Sequence, residues 1–275
     1  MPKVWLITGC SSGLGRHIME AALEAGDSVI ATARKLDSFE ALKAQYPGHL
    51  HPMALDVTQT DQIETVLKAA WGLNQRIDVL VNNAGYGLIG ALEEYSETEI
   101  RQNFETNLFG PIHLMRQVLP YMREQGFGHI INISAIAGFA NELGFSIYGG
   151  AKFALEGVSE ALHGEVKSLG IKVTIIEPGP FRTDFIGRSL VETETVLPQY
   201  EKTVGKFKQF LQSINGQQPG DPVKAARAIV NLTREAKPPL RLVLGKYAYT
   251  KFRQKITQLT RDLDAWEPVG LNTDF

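Results

Sequence analysis

The chain is poor in cysteine: Cys10 is the only one in 275 residues. An internal disulfide is therefore excluded, and a lone cysteine suits a reducing compartment, so a cytoplasmic location is expected. An excess of charge of either sign is also missing. Twenty-eight Lys and Arg stand against 30 Asp and Glu, a formal net charge of −2. That balance offers no electrostatic argument for a nucleic acid or an anionic membrane as partner. No apolar run approaches the roughly 18 residues of a membrane-spanning helix. The first residues run directly into a β-rich stretch, without the basic start and apolar core of a signal peptide. No repeat or low-complexity tract interrupts the chain, and no metal site is expected.

What is present points to one α/β domain over residues 1–275. Forty-four per cent of residues are hydrophobic, enough for a sizeable core. Strand-like and helix-like stretches alternate. Strands are expected near 3–8, 28–33, 51–55, 77–82, 128–134, 171–177 and 240–244. Helices are expected near 14–25, 38–45, 59–73, 97–122, 148–169, 222–234 and 246–262. Several strands are unbroken apolar runs (IDVLV, HIINI, VTII), the pattern of a mainly parallel sheet covered by helices on both faces. Ser96 with Glu99 forms a capping box for the fourth helix, and Thr58 with Asp61 is expected to serve the third in the same way. The segment from about 186 to 220 is more polar and reads as two short helices. It follows the sixth strand, so it should rise over the carboxyl edge of the sheet as a substrate lid.

The first strand runs into Gly9-Cys10-Ser11-Ser12-Gly13-Leu14-Gly15 and then a helix. Strand, glycine turn and helix offer free backbone N–H groups and a positive dipole end to a phosphate. The spacing is G-x-x-x-G-x-G rather than G-x-G-x-x-G. Far downstream, Tyr148 and Lys152 stand four residues apart in Y-G-G-A-K, on one face of a helix. A fixed cation beside a phenol favours the phenolate, so Lys152 is expected to lower the Tyr148 pKa and fit it for proton transfer.

Together with Asp56-Val57, Asn82-Asn83-Ala84-Gly85, Asn107 in E-T-N-L-F-G, N-I-S before the Tyr helix, and Pro178-Gly179, these motifs resemble the short-chain dehydrogenase/reductase family. The resemblance covers about residues 3–185 and returns near 240–244. It implies a single-domain Rossmann fold with a seven-stranded, mainly parallel sheet, a nicotinamide cofactor and a small-molecule alcohol or ketone substrate. By the same resemblance Tyr148 is the proton donor, and Lys152 holds the nicotinamide ribose. Asn107 would hold a water that links Lys152 to solvent. Gly9, Ser11, Ser12, Gly13, Leu14 and Gly15 would cradle the pyrophosphate. Asp56 and Val57 would hold the adenine, and Asn83, Ala84 and Gly85 would pack along the cofactor. Pro178, Gly179 and Thr183 would close over the nicotinamide amide. Relatives that use NAD carry an acidic residue where this chain has Ala33. Arg34 and Lys35 follow instead, and a guanidinium suits a 2′-phosphate, so NADP(H) is the expected cofactor.

One position departs from the family pattern. A serine usually stands thirteen residues before the tyrosine, and here that position is Ala135. Ser134 precedes it, but neighbouring strand residues point to opposite faces, so Ser134 substitutes only if the chain bends. Two functions remain open on these residues: an NADP(H)-dependent carbonyl reductase or alcohol dehydrogenase, impaired by Ala135, or an NADP(H)-binding sensor or partner protein with little turnover. The family geometry puts Ala135, Ala137, Glu142, Phe145, Phe181 and Phe185 near Tyr148, which suits an apolar substrate. Relatives commonly pair through the helices near 97–122 and 148–169, so a homodimer or homotetramer is expected.

Overall fold

A computed structural model describes residues 2–275. Seven strands form one sheet in the order β3-β2-β1-β4-β6-β7-β9, every neighbouring pair parallel. They are β1 (Val4–Ile7), β2 (Ser28–Ala33), β3 (Leu50–Ala54), β4 (Val79–Asn82), β6 (Gly128–Ile133), β7 (Ile171–Pro178) and β9 (Arg241–Leu244). Two further short strands, β5 (Gly87–Ile89) and β8 (Leu190–Glu192), pair in parallel outside the sheet.

Parallel neighbours need crossovers, and helices supply them. Alternation along the strands divides the core between the two faces. On β1, Trp5 and Ile7 turn to the face covered by α1 (Gly13–Glu24) and α8 (Pro222–Leu232), where Ile18, Met19, Ala226 and Ile229 are fully buried. Val4 and Leu6 turn to the opposite face, covered by α3 (Thr60–Asn74), α5 (Gly110–Gln125) and α6 (Ser146–Val166). Burying one such aliphatic side chain is worth about 1.5–3 kcal/mol. The strand order reverses between β1 and β4, and the crevice at their carboxyl ends is where ligands of open α/β sheets bind.

The remaining helices are α2 (Glu40–Gln45), α4 (Glu97–Phe104), α7 (Lys206–Ser213) and α9 (Lys246–Leu271). The strands lie within a residue or two of the expected positions. Three helical expectations need correction. The stretch expected as one helix over 97–122 is α4, a π-helical turn over Glu105–Phe109 and α5. Thr58 does not cap α3: its hydroxyl donates to Asp56 Oδ1, and the helix starts after Gln59. The last helix runs to Leu271, well past the expected end near 262. The Ser96–Glu99 capping box forms at the start of α4. Among the described residues no helix is long and apolar enough to cross a membrane, and no cluster of His, Cys, Asp and Glu could hold a metal ion.

Candidate active site

The glycine turn lies at the switch point. Gly9 and Gly13 take left-handed backbone angles, φ of 70° and 61°, which a side chain would strain. Ser12 is the residue before α1, and its side chain makes no capping hydrogen bond. Asn83, just beyond β4, donates from Nδ2 to the carbonyls of Thr8 and Gly9 at 2.8 and 3.1 Å. Its amide therefore clamps the glycine turn to the next strand. Leu14 packs into the core beneath the turn, and Thr183 stands on the other side, facing Gly13. Cys10 is buried under the loop, and burial pushes its thiol up to about 12. It has no reactive character at neutral pH.

At the carboxyl end of β2, Arg34 is exposed, with Lys35 beside it. Arg34 and Asp56 line one open hollow of about 510 Å³, together with Leu55, Gln62 and Thr65. Asp56 Oδ1 accepts from the Thr58 amide and hydroxyl, a turn of its own. Val57 is buried against Gly110, the first residue of α5.

Helix α6 carries Tyr148 and Lys152, both buried. Lys152 Nζ donates to the Ile133 carbonyl at 2.9 Å and lies 5.8 Å from the Tyr148 ring centroid. The π-helical turn bears Asn107, whose Nδ2 donates to Tyr86 O and Asn103 O, each at 3.0 Å. Asn107 Oδ1 is buried and accepts nothing from the protein. Gly85 separates Asn107 from Lys152: a Cβ there would stand 2.5 Å from Asn107 Oδ1 and 3.7 Å from Lys152 Nζ. Tyr148, Lys152, Asn107 and Gly85 thus converge on one edge of the crevice. Such π-bulges occur often at functional sites, because the extra residue re-aims a side chain.

Burial sets the titration of this pair. It pushes the Tyr148 phenol far above its ordinary range, and it pulls Lys152 down to about 8 against the raising effect of Glu156. The expectation that Lys152 lowers the Tyr148 pKa is corrected here: desolvation outweighs the cation. At neutral pH Tyr148 is a neutral phenol, the form that gives a proton.

An apolar wall surrounds Tyr148. Ala135, Ala137, Phe145 and Phe185 pack with it, and so do Ile89, Leu190, Phe207 and Leu211. Leu190, Phe207 and Leu211 come from the 186–220 segment, which β5–β8 pairing draws over the site. Backbone amides of Glu194 and Leu197 anchor that segment by donating to Glu99 and Glu94. The sequence reading missed these four wall residues. The helical spacing of Phe207 and Leu211 in KFKQFLQS is the signal that identifies α7's apolar face.

Three expected residues lie elsewhere. Glu142 is turned to α9, accepting from the Tyr247 hydroxyl and pairing with Lys251 at 2.7 Å. Phe181 packs against Gly220 and Gly245 rather than in the Tyr148 cluster. Ser134 is buried, and its hydroxyl donates to Glu156 Oε1 at 2.8 Å, so it offers no donor to the pocket. Pro178 ends β7, and the Gly179 amide donates to Leu244 O beside the start of α9.

A parallel doubly wound sheet with a glycine turn at its switch point and a buried Tyr–Lys pair defines a Rossmann-fold oxidoreductase. The chain belongs to the short-chain dehydrogenase family: the model described as "short chain dehydrogenase" matches residues 3–193. Over 272 residues it is 39% identical to oxidoreductase BOA17 of Botryotinia fuckeliana, covering 98% of this chain and 99% of that one. It is 35% identical to human retinol dehydrogenase 8 over 257 residues, 87% of this chain and 80% of that protein. The crystal structure of a short-chain dehydrogenase from Streptomyces avermitilis superposes with a TM-score of 0.94 at 45% identity, covering all of both chains. Structures of the same fold include complexes with NAD and with NADP.

Members of this family bind a nicotinamide cofactor, and the residues present fit one. The α1 N-terminus faces the crevice, Gly85 leaves room beside Lys152, and Asn107 Oδ1 is left to accept. The hollow beside Arg34 and Asp56 is closed by Asp61, Gln62 and Thr65 of α3.

Proposed function

We propose that this protein is an NADP(H)-dependent oxidoreductase that interconverts an apolar secondary alcohol and its ketone. The observation that carries the reading is Tyr148: a protonated phenol buried in an apolar wall, with Lys152 one helical turn away and Gly85 opening the crevice beside it. When bound, the nicotinamide supplies or accepts the hydride. Tyr148 gives its proton to the carbonyl oxygen in reduction. Lys152 holds a ribose and stands ready to reprotonate the phenol, and Asn107 Oδ1 orders a water between Lys152 and solvent. Gly9, Ser11, Ser12, Gly13, Leu14 and Gly15 hold the pyrophosphate, Asp56 and Val57 the adenine, and Pro178, Gly179 and Thr183 the nicotinamide amide, while Asn83, Ala84 and Gly85 pack along the cofactor.

NADP(H) is favoured over NAD(H) because Ala33 carries no carboxylate, while Arg34 and Lys35 follow it, both exposed. The 186–220 segment acts as a lid whose Leu190, Phe207 and Leu211 exclude water from Tyr148. Phe145 and Phe185 stack edge-on and tilted around the Tyr148 ring at 5.7 and 5.9 Å, a wall suited to a ring-containing substrate. The name of retinol dehydrogenase 8 agrees with an apolar alcohol. The protein acts in the cytoplasm as a homo-oligomer through α5 and α6, whose neighbourhood exposes Phe109 and Phe153.

A second reading, an NADP(H)-binding protein with little turnover, draws on Ala135, which leaves the wall without a hydroxyl donor. One experiment tests both. The purified protein is given NADPH and a panel of apolar ketones, and loss of NADPH absorbance is followed. Turnover with kcat/KM higher for NADPH than for NADH is expected. Binding of NADPH without turnover on any ketone or alcohol would favour the second reading, and a preference for NADH would overturn the cofactor assignment.

A further inference from the structure

Helix α9 leaves the domain after two turns. Ala248 is buried, and Phe252 stacks on Phe139 with ring centroids 3.9 Å apart. From Ile256 onward every residue is exposed. Yet this free part carries a continuous apolar stripe. Ile256, Leu259, Leu263 and Trp266 alternate in steps of three and four, and the exposures of Leu263 and Trp266 reach 72% and 68%. This is the heptad seam of a two-helix contact. An isolated helix of such length is marginal in water, so the stripe needs a cover.

The charges say what covers it. From Lys246 to Arg261 there are five basic residues and no acidic one (Lys246, Lys251, Arg253, Lys255, Arg261). From Asp262 to Phe275 there are four acidic residues and no basic one (Asp262, Asp264, Glu267, Asp274). This is the wrong way round for the helix's own dipole, which favours acids at the N-terminus and bases at the C-terminus. A second copy lying antiparallel reverses the balance, because its basic half runs beside this acidic half. The stripe is self-complementary in that direction. About a two-fold axis at Arg261, Leu259 meets Leu263 and Ile256 meets Trp266. Phe252, held on the domain, meets Gly270, which has no side chain to collide with it.

We infer that α9 is a dimerisation arm that pairs antiparallel with α9 of a second copy of this chain. On one flank of that seam, offset from its layers, Arg253 stands beside Glu267 of the second copy, and Thr260 stands beside its own symmetry mate next to the axis. The arm is separate from the α5–α6 surface, so it doubles whatever assembly that surface builds.

The full-length protein, compared with variants by light scattering after gel filtration, tests this. Arg253→Glu and Glu267→Arg, both exposed and remote from Tyr148, should each halve the mass, and the double exchange should restore it. Cys10 is buried, so an introduced Thr260→Cys reports alone: it should form a covalent dimer on mild oxidation, whereas Arg253→Cys should not. Failure of the double exchange to restore the mass, or equal crosslinking at both positions, would overturn the antiparallel pairing. A mass unchanged in Leu259→Asp/Leu263→Asp would overturn the arm itself. So would cosedimentation of the wild type, but not that variant, with phosphatidylcholine vesicles, by giving the stripe a lipid cover.

Discussion

The Ser134 hydroxyl donates to Glu156 Oε1 at 2.8 Å, while its neighbour Ala135 joins the apolar cluster around Tyr148. The two adjacent residues point opposite ways, so the wall beside the phenol carries a methyl group where a donor would stand. Losing one donor to a developing alkoxide costs about 10²–10³ in rate. Ala135→Ser should therefore raise kcat by at least roughly tenfold, with KM moving less, because the contact strengthens mainly in the transition state. Ser134→Ala should leave kcat nearly unchanged and lower stability by about 1–3 kcal/mol, by stranding a buried acceptor. Measuring kcat and melting temperature of both variants on one ketone decides between them. A large kcat loss confined to Ser134→Ala would reverse the roles.

Tyr148→Phe keeps the ring in its wall of Phe145 and Phe185 and removes the proton. Ketone reduction should fall by about 10²-fold or more. NADPH affinity, measured by fluorescence titration, should change little. Turnover retained near the wild-type rate would remove Tyr148 from the mechanism.

Arg34→Ala should separate the two nicotinamide cofactors. Only NADPH carries the 2′-phosphate, and a hydrogen bond to a charged group is worth about 1.5–3 kcal/mol. The dissociation constant for NADPH should rise roughly ten- to a hundredfold and that for NADH should hold. Equal weakening of both would mean that Arg34 reads no phosphate.

Behind Ser134 lies a buried pair of carboxyls. Burial pushes Glu177 up to about 8, and neighbouring Glu156, itself raised by burial, adds to the effect. Arg241 Nε stands 3.5 Å from both and does not offset it. Between the ordinary carboxylate range and about 8, the folded chain holds a proton that the unfolded chain has released. Stability from this pair is therefore full below the unfolded value and is lost as the pH rises through about 8. Glu177→Gln removes that titration. The wild-type melting temperature should fall relative to the variant's by on the order of 5 °C across this window, the shift that roughly 2 kcal/mol produces in a chain of this size. A gap that does not change with pH would show that the pair is ionised in the fold.

Local pattern was enough for much of this molecule. The unbroken apolar runs IDVLV, HIINI and VTII marked the central strands β4, β6 and β7, since parallel strands covered on both faces are apolar throughout, whereas the edge strands β3 and β9 are only half-buried and mixed in composition. The glycine turn, the Ser96–Glu99 cap and the Tyr148–Lys152 spacing were also legible, because each is a relation among residues a few positions apart. Tertiary structure decided the rest. Which way Ser134 points depends on Glu156, a residue 22 positions away on another element. Glu142 and Phe181 were drawn off by α9 and by Gly220, contacts that no local spacing encodes. The Tyr148 pKa depends on how much water the wall excludes, and that wall is assembled from Phe145, Phe185, Phe207 and Leu211 only when the chain closes on itself. Desolvation is a property of the packed environment, so the sequence determined which groups could titrate and the fold determined the direction in which they shift.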